Sequence, residues 1–219
     1  MQSLSRALVL AAAVVTGLAA PPMAHAAKPA DAPPYRGRTV CCTDPATFDY
    51  VALPDHGSID VDIGPTTPLF EFQSGVSAFR AFRLPVLSVP YLIEVRSRLR
   101  GGPDPLKARV FYPAAALLNG DYLVMRSVGV EELVADWTLF ERAEYPAYRL
   151  AVGVDPARSR ERYLVVYTPL AVLGPRPVPA EAESADESAR NAYLGASTEG
   201  HLTITITVLG EMTPPPPPR

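Results

Sequence analysis

Short segments in which apolar and polar side chains alternate recur between residues 58 and 208. In SIDVDI, the side chains of Ile59, Val61 and Ile63 fall on one side of an extended chain, and two aspartates fall on the other. The segments YLIEVRSRLR (91–100) and HLTITITVLG (201–210) repeat this pattern, with charged residues or threonines on the polar side. Alternation of period two predicts strands with one buried and one solvated face.

Further segments predict strands whose two faces differ less in polarity. We expect strands at 69–73 and 77–84 with a turn at Ser74-Gly75, and strands at 108–113 and 122–128 joined through the apolar stretch AAALLN. ERYLVVYT (161–168) is apolar on both faces, which is typical of a central strand. The last alternating segment, 201–210, is predicted to close a sheet.

Many short strands separated by Gly and Pro favour an all-β fold, a single β-sandwich or jelly-roll-like domain with flexible Pro-rich termini. Only VEELVADWTLFERA (130–143) has any helical character. We expect four parts: a signal peptide (1–26), a leader segment with paired cysteines (27–51), the sandwich (52–210) and a Pro-rich tail (211–219).

The N-terminus predicts export. Arg6 precedes an apolar run that ends at Pro21, too short to cross a bilayer as a helix, and Ala24-His25-Ala26 supplies the small residues that a signal peptidase requires. We therefore expect cleavage after Ala26, a periplasmic mature protein and no transmembrane segment in it. The alternative is an uncleaved membrane anchor, but no cluster of basic residues follows the run.

Charge and motifs argue against several functional classes. The formal net charge is −3 and no extensive basic cluster is present, so nucleic acid is not an expected partner. The Gly-x-Ser-x-Gly elbow, a phosphate-binding loop and a dinucleotide fingerprint are all absent from the sequence. We predict a protein that is not an enzyme and has no cofactor and no metal site.

The two cysteines of the chain, Cys41 and Cys42, are adjacent. Their Cα atoms are about 3.8 Å apart across a trans peptide, below the usual minimum of about 4.4 Å for an unstrained disulfide. Three states stay open: a vicinal disulfide, mixed or intermolecular disulfides, and two buried thiols. A redox-active pair is a further hypothesis, beside the simpler reading of two small apolar residues.

Carbohydrate binding requires a flat aromatic ring with polar neighbours. The single tryptophan, Trp137, with Tyr145 and Tyr148 close by in sequence, is the best candidate group for such a ligand site. The alternative is that Trp137 belongs to the core.

A succession of segments carries a family resemblance. ALPDHGSIDVDIGPTTPLFEFQSGVSAFRAFRLP, VFYPAAALLN, ERYLVVYTPLAVLG and ARNAYLGASTEGHLTITI together resemble the maltose operon periplasmic protein (MalM) family over about residues 52–209. Ala189-Arg190 and Gly200-His201-Leu202, which approach the last strand, are among its most specific parts. The resemblance implies a β-rich periplasmic protein associated with maltodextrin uptake, and it carries over no catalytic residues.

These observations together predict a non-enzymatic periplasmic accessory or binding protein, linked to maltodextrin or other carbohydrate transport. Its expected partners are carbohydrate or proteins of the cell envelope. The alternative is a structural or assembly protein of the envelope, tethered by its Pro-rich ends.

Overall fold

A computed structural model describes residues 35–100, 109–136, 147–173 and 195–209 of the 219-residue chain. The predicted signal peptide, the Pro-rich tail, Trp137 and Tyr145 lie outside these described residues. Thirteen strands are found within them, namely β1 (Tyr50–Ala52), β2 (Gly57–Ile63), β3 (Leu69–Phe72), β4 (Gly75–Arg83), β5 (Tyr91–Arg98), β6 (Arg109–Val110), β7 (Ala114–Asn119), β8 (Val124–Val128), β9 (Val134–Asp136), β10 (Ala147–Val154), β11 (Glu161–Tyr167), β12 (Gly195–Ala196) and β13 (Gly200–Val208).

The strands form two main sheets. The first sheet has the order β1-β4-β11-β7-β8, with β3 also paired to β4, and the second has the order β2-β13-β5-β10-β9. Neighbouring strands are antiparallel in both sheets except β1 and β4, which run parallel. The two-residue strands β6 and β12 form a separate parallel pair.

The inner faces of the two sheets enclose one large apolar core, so the protein is a β-sandwich. Ile204 of β13 is aligned with Val95 of β5 and with Ile59 of β2, which places apolar side chains in a row across the second sheet. Phe82 and Leu164 contribute to the core from the first sheet, and both are almost fully buried. The all-β sandwich predicted from the sequence is confirmed.

The outer face of the second sheet is polar and follows the predicted alternation. Asp60 of β2 accepts a hydrogen bond from the Thr203 hydroxyl at 2.7 Å, and Glu94 of β5 pairs with Arg149 of β10 at 2.8 Å. Opposite charges and hydroxyls on neighbouring strands stabilise a sheet through such cross-strand pairs. The second sheet therefore has the one dry and one wet face that its sequence predicts.

The hairpin between β3 and β4 forms at the predicted turn. Gly75 has a φ of +101°, a conformation that L side chains rarely adopt. A Cβ atom at this position would also come within 2.6 Å of Leu170. Both the backbone conformation and the close packing of Leu170 therefore require glycine.

Two predictions from the sequence are wrong. AAALLN is not a connection but strand β7, which pairs with both β8 and β11 and is almost wholly buried. Strand β13 does not close the second sheet, because it lies between β2 and β5. The first sheet includes residues before 52, since β1 belongs to it, and Phe48 is buried.

No helix in the part of the chain that the structure describes is long and apolar enough to span a membrane. The helical character predicted at 130–143 is confined, among described residues, to a short 3₁₀ turn at Val130–Glu132. Strand β9 follows this turn directly.

Replacing Tyr91 by Phe should reduce the loss of stability at alkaline pH. Burial, and next the Glu161 carboxylate, raise the pKa of Tyr91 from 10.0 to about 12. The unfolded chain therefore loses this proton before the folded chain does, and folding weakens between about pH 10 and pH 12. Urea unfolding at pH 9 and at pH 11 measures the effect. If the free energy of unfolding falls equally between pH 9 and pH 11 in the wild-type protein and in Tyr91→Phe, this prediction is wrong.

Candidate functional site: an aromatic outer face and a vicinal disulfide

The outer face of the first sheet is apolar and rich in aromatic rings. We call these rings the outer aromatic cluster, and its members are Phe48, Tyr50, Phe70, Phe72, Phe79, Tyr122, Tyr163 and Tyr167. Phe72 and Tyr167 stack in parallel with ring centroids 4.1 Å apart. Offset-stacked and edge-to-face ring pairs each add about 1 kcal/mol beyond the burial of area. The central strands β4, β7 and β11 of the first sheet thus carry apolar side chains on both faces, unlike the strands of the second sheet.

The segment 39–48 covers the middle of this face. Phe48 is buried with its ring centroid 4.2 Å from that of Phe79 and 4.9 Å from that of Phe70. Asp44 caps the 3₁₀ turn Pro45–Thr47 by accepting a hydrogen bond from the Ala46 N–H at 2.8 Å. Capping and ring packing hold the segment against the sheet.

Three tyrosines at the margin of the cluster contact one another. We call Tyr50, Tyr122 and Tyr163 the tyrosine platform. Their ring centroids are 4.4 Å (Tyr50–Tyr163), 4.8 Å (Tyr122–Tyr163) and 5.8 Å (Tyr50–Tyr122) apart. All three side chains are partly exposed. The platform therefore offers solvent a surface that is aromatic and also carries hydroxyl groups.

Three different elements supply the platform. Tyr50 begins β1, and its hydroxyl donates to the Pro45 carbonyl at 2.9 Å, which fixes the ring. Tyr163 lies on β11 directly opposite Arg83 of β4. Tyr122 belongs to the loop between β7 and β8, and the Tyr163 hydroxyl approaches its hydroxyl at 3.4 Å. Tertiary structure alone brings these residues together.

The pKa values of two platform hydroxyls, those of Tyr50 and Tyr122, are raised. Burial, and then the neighbouring Tyr122 and Tyr163, raise the pKa of Tyr50. The hydrogen bond with Tyr163 raises the pKa of Tyr122, and Arg83 opposes this rise in part. Asp44 also acts on Tyr50 and Tyr122. A neutral hydroxyl can both donate and accept a hydrogen bond, so Tyr50 and Tyr122 keep both abilities at physiological pH.

Tyr122 has an unusual backbone conformation. Its φ is +61°, in the left-handed region where a side chain other than glycine costs about 1 kcal/mol. The side-chain oxygen of Asn119 accepts hydrogen bonds from the N–H groups of Asp121 and Leu123 on either side, which fixes the loop. The loop and the contact with Tyr163 together hold a bulky ring where glycine would be favoured. Such strain is found often at functional sites.

The aromatic group predicted from the sequence does not coincide with the platform. Tyr148, the member that the structure describes, lies on β10 with its ring centroid 5.3 Å from that of Tyr112. It packs against a separate apolar cluster that contains Val110 and Leu133. Trp137 and Tyr145 lie outside the described residues, so their part in a ligand site stays a prediction.

The adjacent cysteines form a disulfide bond with each other. Cys41 is exposed, whereas Cys42 is partly buried against the outer aromatic cluster. The Cys41 N–H donates to the Leu69 carbonyl at 2.8 Å, and Val40 forms a parallel bridge with the same residue. The vicinal disulfide thus lies on the segment that covers the first sheet.

The carboxylates of the wet face are engaged with neighbouring strands. Nδ1 of His201 is 2.9 Å from Asp62, and Nε2 is 3.6 Å from Asp60. The two carboxylates therefore lie at opposite ring nitrogens and do not converge on one point. Among the described residues, no group of three or more His, Cys, Asp or Glu side chains is placed to hold a metal ion.

One end of the sandwich has a small cleft of about 140 Å³ between the β4–β5 and β10–β11 connections. Glu161 lines it and is buried, but Arg126 binds both carboxylate oxygens at 3.1 and 3.3 Å. The Ser159 hydroxyl, also in the lining, is buried without a hydrogen-bond partner among the residues that the structure describes. Because Arg126 neutralises Glu161, this carboxylate is part of a structural ion pair.

Comparison with protein-family models finds no match, and comparison with curated proteins finds none. Three chains of solved structures are similar to this chain. One is the pre-peptidase C-terminal domain of collagenase from Bacillus anthracis, at 10% identity and a TM-score of 0.32, covering 73% of this chain and 96% of that one. Another is CorA, a surface-associated copper-binding protein of Methylomicrobium album BG8, at 8% identity and a TM-score of 0.35, covering 74% and 98%.

Substitutions at Tyr122 should separate backbone strain from ring packing. Tyr122→Ala removes the ring but keeps a side chain in the left-handed conformation, whereas Tyr122→Gly removes the ring and relieves the strain. We expect the glycine variant to be more stable than the alanine variant by about 1 kcal/mol. Urea unfolding of the two variants measures this difference. An alanine variant as stable as the glycine variant would contradict the assignment of strain.

Proposed function

We propose that this protein is a non-enzymatic binding module of the periplasm and that the tyrosine platform binds neutral carbohydrate. The observation that carries the proposal is the mutual contact of Tyr50, Tyr122 and Tyr163 on a partly exposed face. Pyranose rings present apolar C–H faces to aromatic rings and hydroxyl groups to polar neighbours. A surface that combines rings with hydroxyls suits both parts of such a ligand.

The charges around the platform favour a neutral ligand. Asp44 and Arg83 both act electrostatically on Tyr122, in opposite directions. Neither sign of charge therefore dominates, and each group can serve as a hydrogen-bond partner for a sugar hydroxyl. The predicted export signal and the resemblance to the maltose operon periplasmic protein family support an oligosaccharide of the maltodextrin type in the periplasm.

Tyr122→Ala should weaken maltodextrin binding by about 5- to 30-fold, because loss of a stacked ring costs on the order of 1–2 kcal/mol. Tyr122→Phe keeps the ring and should retain most of the affinity. Leu123→Ala is the matched control, since Leu123 is adjacent in the same loop and 63% exposed. Isothermal titration calorimetry with maltoheptaose measures all four proteins.

Two outcomes of this titration decide against the proposal. If the wild-type protein shows no binding at several millimolar sugar, the carbohydrate function is wrong. If Tyr122→Ala binds normally while Trp137→Phe does not, the ligand site belongs to the aromatic group around Trp137 that the sequence predicts.

The same proposal predicts how binding depends on pH. The pKa values of Tyr50 and Tyr122 are raised from 10.0, so both hydroxyls stay neutral through the range from about pH 6 to pH 9. Maltodextrin affinity should therefore be constant within about twofold over this range. A steep fall between pH 8 and pH 9 would contradict a site made of these hydroxyls.

The alternative, an assembly protein of the envelope, is separated from carbohydrate binding by a different experiment. Cross-linking in intact cells followed by affinity purification identifies stable protein partners. A stable envelope partner, together with no measurable affinity for sugar, would favour the assembly role over the one that we propose.

A further inference from the structure

The disulfide between Cys41 and Cys42 should stabilise the fold much less than a structural disulfide usually does. A disulfide stabilises a fold mainly by closing a loop in the unfolded chain, and the gain grows with the length of that loop. Adjacent residues close no such loop. The bond therefore restricts the unfolded chain very little, and its stabilising effect should be small.

The segment around the disulfide is held by contacts that do not involve sulfur. Before the pair, Val40 bridges to Leu69 and the Cys41 N–H donates to the Leu69 carbonyl. After it, Asp44 caps the turn at Pro45–Thr47, and Phe48 is buried among aromatic rings. Opening the disulfide breaks none of these contacts. The chain can therefore keep its fold with the two cysteines reduced.

The two cysteines differ in accessibility. Cys41 is exposed to solvent, and Cys42 is partly buried against the outer aromatic cluster. A thiolate reaches a disulfide by attacking one of its sulfur atoms along the S–S bond. An incoming thiolate can approach Cys41 without prior unfolding, and the sulfur of Cys42 then faces the protein as the leaving group.

From these three observations we propose that Cys41–Cys42 is an exchangeable disulfide, and that its reaction partner is a dithiol. In the first step, a thiolate of the dithiol attacks Sγ of Cys41 to form a mixed disulfide, and Cys42 leaves as a thiolate and takes up a proton. In the second step, the other thiolate of the partner attacks the partner's sulfur that is bonded to Cys41. This closes the partner's disulfide and releases Cys41 as a thiolate, which takes up a proton. The cysteine pair gains two electrons and two protons, and the dithiol loses the same.

The pair is thus an exposed two-electron redox site on a domain that keeps its structure in both states. Exposed or strained disulfides are the class that is reduced readily, whereas structural disulfides resist reduction. The chemistry requires only a dithiol, either in a small molecule or in a Cys-x-x-Cys protein. This site is separate from the carbohydrate proposal, and neither depends on the other.

The first test measures the rate at which dithiothreitol reduces the mature protein purified without reductant. Iodoacetamide and mass spectrometry count the free thiols, which should be none before reduction and two after it. We expect the rate in native buffer to lie within about tenfold of the rate in denaturing urea, because no opening of the fold is required. The melting temperatures of the oxidised and reduced proteins should agree within about 2 °C.

Several results would overturn the proposal. One is two free thiols in the protein before any reductant is added. Another is reduction that occurs only in urea, which would show that the disulfide is protected by the fold. A fall of more than about 8 °C in melting temperature on reduction would show a structural disulfide instead.

Single variants test which sulfur is attacked. Cys42→Ser leaves the exposed Cys41 as a free thiol, and Cys41→Ser leaves the partly buried Cys42. We expect oxidised glutathione to modify Cys42→Ser at least about fivefold faster than Cys41→Ser. The double variant Cys41→Ser/Cys42→Ser is the control and should melt within about 2 °C of the wild-type protein. Faster modification of Cys42 would overturn the assignment of Cys41 as the attacked sulfur.

Discussion

The burial of the central strands β4, β7 and β11 of the first sheet on both faces is the constraint on which the rest of the structure depends. Its inner face packs against the second sheet, and its outer face carries aromatic rings that a two-layer sandwich would leave in water. Large apolar patches on a surface are unfavourable unless something covers or binds them. The segment 39–48 supplies the cover by packing Phe48 against both Phe70 and Phe79.

The two functional features follow from this cover. The vicinal disulfide lies on the covering segment, with Cys42 against the rings and Cys41 toward solvent. The tyrosine platform lies at the margin of the same face, where Tyr50, Tyr122 and Tyr163 stay partly exposed. One apolar face thus gives rise to both a proposed redox site and a proposed carbohydrate site. The two share the outer aromatic cluster but use different chemistry.

The sequence predicts strands with one solvated face most clearly, and the reason is solvation. Strands β2, β5 and β13 have one wet face, so polar side chains such as Asp60, Glu94 and Thr203 mark every second position. Strand β7 is buried on both faces, and its alanines have little preference for strands, so its segment resembles a connection. Strand β10 is not predicted, because its exposed positions Ala151 and Gly153 are not polar and the sequence shows little alternation between apolar and polar residues. Strand order depends on long-range pairing, which no local pattern encodes.

The candidate site is harder to predict from the sequence than the fold is. Trp137, Tyr145 and Tyr148 attract attention because they are close in sequence, but Tyr148 packs on Tyr112 in a separate cluster. The platform joins Tyr50, Tyr122 and Tyr163, which are distant from one another in the sequence. The turn sequence Asn119-Gly120-Asp121-Tyr122 is a weak signal for the platform. It places Tyr122 in a turn, where the left-handed backbone conformation that it adopts usually favours glycine. The cysteine pair, by contrast, is visible in the sequence, and the structure adds the difference in exposure between its two members.

Amide hydrogen exchange at Cys41 and Leu53 tests most directly whether the residues before 52 belong to the sandwich. The Cys41 N–H is bonded to the Leu69 carbonyl at 2.8 Å, and the Leu53 N–H is bonded to the Arg83 carbonyl at 3.0 Å. If the segment covers the first sheet, both amides should exchange at least about a hundredfold more slowly than in an unstructured peptide. Exchange of Cys41 at the unprotected rate, with Leu53 still protected, would show that the segment does not cover the sheet and would contradict the account.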